Sequence, residues 1–185
     1  DLEKRSDLVA HPQPSGLTYA YLPQYSHTVS YERQRLLVAY IAKTSGIPIR
    51  QIFPDTFDEH VNMFRRGEID ISFSNPVVYV QLEDVGAKAF ARVIEPSGDP
   101  DFRGQIICRT EDNELRTLED CRGKRWIAVD RSSAGGYIFP LGLFLEHGLQ
   151  TTDFKEIAFA PGPGGKQEKV VLSVHNGAFD IGTIR

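Results

Sequence analysis

Apolar runs of strand length alternate with segments of helix length through most of the chain, and this alternation restricts the fold more than any other feature. Residues 17–22 read as a strand, followed by a helix over 30–45 that carries Leu36, Leu37, Ala39, Tyr40 and Ile41. Gly46 is placed to end that helix. A strand over 47–53, a helix over 56–66 stopped by Gly67, and a buried strand over 69–73 follow. Next come an apolar helix over 77–85 and a strand over 89–94. The second half repeats the order, with strands over 105–109, 125–129, 156–160 and 180–184 and helices over 136–147 and 166–176. Repeated β-α-β order implies an α/β fold with largely parallel sheets flanked by helices. The Pro- and Gly-rich stretch 96–104 marks a shift in composition. The expected organisation is therefore a leader arm over 1–16, a first lobe over 17–95, a hinge over 96–104 and a second lobe over 105–185.

Charge and cysteines exclude several classes of function. A net charge of -4 and a pI near 5.7 lack the basic field of a nucleic-acid or anionic-membrane binder. Any anion site is therefore local. No run of about 18 apolar residues is present, and no charged start leads into an apolar stretch as in a signal peptide. Cys108 and Cys121 lack the spacing of a zinc or redox motif, so no metal or cofactor is expected. A disulfide between them and two buried thiols are both open readings.

The junction Val129-Asp130-Arg131-Ser132-Ser133-Ala134-Gly135-Gly136-Tyr137 follows an apolar strand and opens an apolar helix. Small residues let backbone approach a ligand, and first-turn N–H groups lack partners within a helix. An oxyanion is stabilised there by donors and dipole together. The same residues also suit a plain helix start, with Ser132 or Ser133 as cap and the glycines as a tight turn. A nucleotide P-loop is excluded by the absence of GK[ST], and GxGxxG is absent too. A second strand-to-helix junction runs from Pro161 to Glu168, where Lys166 and Gln167 are candidate donors into the same cleft. Lys166 suits solvent equally well, because a cation is mildly unfavourable at a helix start. In the first half, Tyr25 and Tyr79 follow strands and offer rings and hydroxyls to a pocket, or pack as ordinary tyrosines. Asp70 and Asp180 read as caps at strand edges. His11, His27, His60, His147 and His175 are scattered, so no nucleophile, base and orienting group can be assembled.

Four segments, taken together, resemble the phosphate/phosphonate-type periplasmic binding proteins of ABC importers. They are Arg66-Gly67-Glu68-Ile69-Asp70-Ile71-Ser72-Phe73-Ser74-Asn75-Pro76 with Tyr79 following, Leu118 to Arg125, Asp130 to Tyr137, and Val174 to Gly182. The resemblance runs from about Leu17 to Arg185. It implies a two-lobed, type II binding-protein fold with a ligand cleft between the lobes, no catalysis, and an extracytoplasmic location. The implied partners are a small anionic ligand and an importer permease, with closure about the hinge delivering the ligand. In such proteins a Ser/Thr-rich turn holds the phosphonate oxygens, which matches Ser133, Ala134 and Gly135 here, so two hydroxyls are replaced. Phe57 stands at a position that is often Tyr, and Gln167 at one expected to be His. Tyr79, Tyr137 and Asp180 fit the family pattern. Ser132, Gly136, Lys166 and Tyr25 complete the expected ligand set. Relatives continue beyond the position of Arg185 with a segment that returns to the first lobe. The Ser-Ala-Gly-Gly-Tyr form also resembles sensor domains fused to histidine kinases, so a ligand-sensing receptor domain is the alternative. A transmembrane helix or kinase region in the full-length product favours the sensor; a cleaved signal peptide favours the importer.

Overall fold

A computed structural model of the chain describes residues 16–94, 98 and 100–185. The expected leader arm, apart from Gly16, and residues 95–97 and 99 at the hinge lie outside the described residues. The chain divides into two compact units, residues 1–74 and 75–185.

The first unit holds a three-stranded parallel sheet in the order β2-β1-β3. Its strands are β1 (Leu17–Tyr21), β2 (Ile49–Ile52) and β3 (Ile71–Phe73). Helix α1 (His27–Ser45) connects β1 to β2, and α2 (Phe57–Arg65) connects β2 to β3. Ser26 caps α1 by accepting from the Val29 N–H. Gly46 ends the helix at φ 71°, a left-handed conformation that a residue with Cβ adopts at a cost. The apolar residues that mark α1 in the sequence do not form its buried face: Leu36 and Tyr40 are 69% and 66% exposed. Ser30, Gln34 and Val38, spaced four apart, face the sheet instead. Gln34 is satisfied there because the Tyr19 hydroxyl donates to its Oε1 at 2.8 Å. Tyr19, Tyr21 and Val38 form the buried core on this side, packed against Ile49, Ile71 and Phe73.

The second unit opens with α3 (Pro76–Glu83) and holds a four-stranded sheet in the order β4-β7-β5-β6. Strands β5 (Arg125–Ala128), β6 (Glu156–Phe159) and β7 (Ile181–Ile184) are parallel, and β4 (Gln105–Cys108) runs antiparallel to β7 at the edge. Helices α4 (Phe139–Glu146) and α5 (Lys166–His175) flank it. Alternation along β5 sends Trp126 and Ala128 to one core with Phe144, Leu149 and Phe154, and Ile127 and Val129 to another with Val170 and Val174. Trp126 meets Phe144 and Phe154 at centroid distances of 5.2 and 5.1 Å, contacts that add about 0.5–1.5 kcal/mol each beyond burial.

Three expectations meet different outcomes here. Residues 89–94 form no strand: Phe90, Val93 and Ile94 are exposed, and neither sheet offers this stretch a ladder partner. Helix α3, assigned from sequence to the first lobe, packs within the second unit. Both cysteines are free thiols, Cys108 exposed and Cys121 in the core, where burial raises the Cys121 thiol to about 11.

Candidate functional site

The position of the site follows from strand order. The chain passes from β5 to β6 on one side of β5, then returns through α5 to β7 on the other side. Order therefore reverses between β5 and β7, and open α/β sheets take ligands beyond the carboxyl ends of strands at such a point. Here β5 runs into the Asp130–Tyr137 turn and β7 leads into Arg185. The Pro161–Gly165 turn after β6 lies at the same edge.

Local hydrogen bonds fix the turn. Asp130 accepts the Ser132 N–H at Oδ1 (3.0 Å) and Lys166 Nζ at Oδ2 (2.6 Å), so one carboxylate joins the two glycine-rich turns. Ser133 Oγ accepts the Gly136 N–H at 3.1 Å, which makes Ser133 the helix cap. Ser133 O accepts from both Tyr137 and Ile138, giving a widened first turn over Ala134–Ile138 that runs on into α4. From inside, Trp126 Nε1 donates to Thr183 Oγ1 at 2.9 Å, and Thr183 donates to Gly136 O at 2.6 Å. From α3, Asn75 donates to Ser132 O at 3.0 Å and Gln81 to Ser132 Oγ at 3.3 Å.

Packing accounts for the glycines. A Cβ on Gly136 lies 2.5 Å from Val129 Cγ2, and one on Gly104 lies 2.4 Å from Gly135 O. A Cβ on Gly135 meets the Phe102 ring at 3.1 Å. Gly136→Ala is expected to destabilise the second unit by about 1–3 kcal/mol through overpacking against β5. A denaturant titration that leaves the midpoint unchanged contradicts this.

The structure gathers Ser132, Ser133, Gly135, Gly136, Lys166 and Gln167 at one edge, but it changes the roles of several. Lys166 neither donates outward nor sits in solvent as its ordinary readings have it: it is buried and paired with Asp130. Gln167 Oε1 accepts the Arg185 N–H at 3.0 Å. Tyr137 turns its ring inward, 5.4 Å from Trp126 and 4.9 Å from Phe159, so its bulk belongs to the core. Asp180 lies at the opposite edge. It accepts the Arg125 N–H at 2.8 Å and holds the Arg125 side chain at 2.8 and 3.2 Å. Arg125 and its N–H bond lower the Asp180 pKa against the opposing effect of burial. The four residues of β5 span about 13 Å between that edge and the turn. Tyr79 donates its hydroxyl to Glu83 at 2.9 Å within α3. Arg185, which the sequence reading passed over, follows β7 at the switch point with its guanidinium 4.5 Å from the Phe102 ring.

In the first unit the order also reverses, between β1 and β3, whose carboxyl ends are Leu22 and Ser74. Leu22 N–H donates to Phe73 O at 2.9 Å, bringing the two ends together. Tyr25 lies half-buried beyond β1, stacked near Tyr21 and covered by Arg33 at 4.5 Å. Phe57 begins α2 but is 1% exposed, which places its ring in packing. One turn on, fully buried His60 bonds Ser72 Oγ through Nε2 at 2.7 Å, and Ser72 Oγ bonds Ser74 Oγ at 2.6 Å. Asp70 caps the far end of β1, accepting from Thr18 N–H and hydroxyl at 2.7 and 2.8 Å.

Parallel α/β units whose helix starts gather at switch points are the architecture of type II substrate-binding proteins. Residues 19–185 match the family described as ABC transporter, phosphonate, periplasmic substrate-binding protein, and the chain belongs to that family. The family is one of periplasmic substrate-binding proteins, not of enzymes. The chain is 23% identical to the phosphate-import protein PhnD of Mycolicibacterium smegmatis over 186 residues, covering 97% of this chain and 58% of that protein. It shares its fold with PhnD1 from Prochlorococcus marinus, solved in complex with methylphosphonate (TM-score 0.79, 20% identity, 94% of this chain, 64% of that one). It shares it also with a binding-protein component of an ABC phosphonate transporter from Pseudomonas aeruginosa (TM-score 0.79, 17% identity, 92% and 57%). The chain thus spans about three fifths of the length of these relatives.

Proposed function

We propose that this chain captures a small oxyanion of phosphonate or phosphate type and serves an extracytoplasmic importer. The observation that carries the reading is the coincidence of a small-residue helix start with the β5/β7 switch point of the second unit, where Arg185 supplies a cation. The first-turn amides of Ala134 and Gly135 and the Arg185 guanidinium are the proposed donors, and Ser132 flanks them. A contribution of Tyr25 from the first unit, brought in by hinge closure, belongs to the same proposal. The second reading, a ligand-sensing receptor domain, is favoured by one feature: the Ser-Ala-Gly-Gly-Tyr form puts Gly135 where the family resemblance implies a hydroxyl, and a Cβ there meets the Phe102 ring at 3.1 Å.

Ser133→Asp is the direct test. Asp caps a helix as well as Ser does, and a denaturant titration of the variant establishes that it is folded. Its carboxylate, however, faces the bound anion, and like charges in contact cost several kcal/mol. Calorimetric titration with inorganic phosphate and methylphosphonate is expected to show at least about tenfold weaker binding than in the parent chain. Undiminished binding in a folded variant overturns this site.

A further inference from the structure

We infer that Ser74 is a ligand hydrogen-bond donor at the first unit's switch point, and that His60, acting through Ser72, is the positioning residue that turns its proton outward. The inference rests on the oxyanion reading above and extends it to residues outside the expected ligand set. Ser72 and Ser74 lie on the same side of β3 by the two-residue period, opposite to Ile71 and Phe73 in the core under α1. Their hydroxyls and His60 form a continuous relay, with links of 2.7 and 2.6 Å, from a fully buried imidazole to a half-exposed serine beside Leu22.

The direction of the relay follows from the other ring nitrogen. His60 Nδ1 is buried and has no hydrogen-bond partner among the described residues. A neutral imidazole carries its proton on one nitrogen only. A buried N–H without an acceptor is rarer than an acceptor without a donor, so the proton sits on Nε2 and Nδ1 keeps a bare lone pair. Burial that holds the ring at about 4 keeps it neutral at physiological pH. Nε2–H then donates to Ser72, Ser72 donates to Ser74, and the Ser74 O–H is left to donate outward. The opposite tautomer makes Ser74 present only lone pairs, which repel an anion. A donor fixed in this way at the carboxyl end of β3 needs no reorientation when an oxyanion arrives.

Two measurements on the full chain test this. Imidazole 15N–1H correlation spectra of the unliganded protein are expected to show His60 protonated at Nε2 only; protonation at Nδ1 overturns the relay whatever the ligand. In calorimetric titrations with inorganic phosphate and methylphosphonate, Ser74→Ala and His60→Met are each expected to weaken binding about fivefold or more. His60→Gln, whose amide can donate to Ser72, is expected to recover most of the loss. Binding unchanged in Ser74→Ala but lost in Ser133→Asp overturns the Ser74 contact alone. No binding of either oxyanion by the parent chain overturns the oxyanion reading and this contact with it.

Discussion

Lys166→Met is expected to lower the stability of the second unit by about 3–5 kcal/mol, read from the midpoint of a denaturant titration. The Lys166 and Asp130 side chains are only 8% and 20% exposed, with Nζ and Oδ2 2.6 Å apart. Withdrawing two charges from water costs several kcal/mol each, and mutual attraction repays this only while both are present. Without Lys166, Asp130 remains half-desolvated with one N–H bond from Ser132 to satisfy it. The turn that Asp130 shapes then loosens with it, so the oxyanion binding proposed there is expected to weaken in the same variant. Asp130→Asn combined with Lys166→Met removes both charges and is expected to restore most of the lost stability. A single variant within about 1 kcal/mol of the parent chain contradicts a buried, energetically coupled pair.

Acidification from pH 7 to pH 5 is expected to destabilise the first unit by about 2 kcal/mol through His60 alone, rising to about 3 kcal/mol near pH 4. Burial lowers this imidazole from 6.5 to about 4 because the charged ring loses its hydration in the core. Between those values the unfolded chain binds a proton that the folded chain refuses. Stability therefore rises with pH across the window and is lost as pH falls through it. The difference between the parent chain and a His60 variant carries this histidine's share. Asp180, with Arg125 as the chief lowering influence, and Asp120, with the Thr117 N–H as its own, lie below the ordinary carboxylate value of 3.8. What they contribute is present above that value and is lost only in stronger acid. Urea midpoints measured across pH 5–7 are expected to slope more steeply in the parent chain than in His60→Gln. Equal slopes in the two proteins exclude His60 as the source.

The sequence carried the fold class because burial patterning is local. Short apolar runs closed by Gly46 and Gly67, and caps such as Asn75 ahead of Pro76, mark elements whose causes lie within a few residues. The helix start at Ser133 was legible for the same reason, and so was the strand-capping part of Asp70. Where several partners compete for one residue, local pattern failed. Helix α1 turns Gln34 inward because Tyr19 offers it a hydrogen bond from another element, and leaves Leu36 and Tyr40 outside. Residues 89–94 have strand composition but no ladder partner among the described residues. Glycine at 136 resembles a ligand-facing residue in one dimension, yet Val129 across the turn requires it.

By itself, then, the sequence determined that this chain builds parallel α/β units, that a small-residue helix start follows one of their strands, and which family it belongs to. The tertiary structure decided which groups stand beside that helix start and which are committed elsewhere. Lys166 is committed to Asp130 from 36 residues away, Asp180 to Arg125 from 55, and His60 to a serine pair on another element. Such partners are fixed by strand order and register, which bring together side chains that no local period relates. A buried charge or polar group takes whichever partner that order supplies, because leaving it without one costs more than any local preference can return.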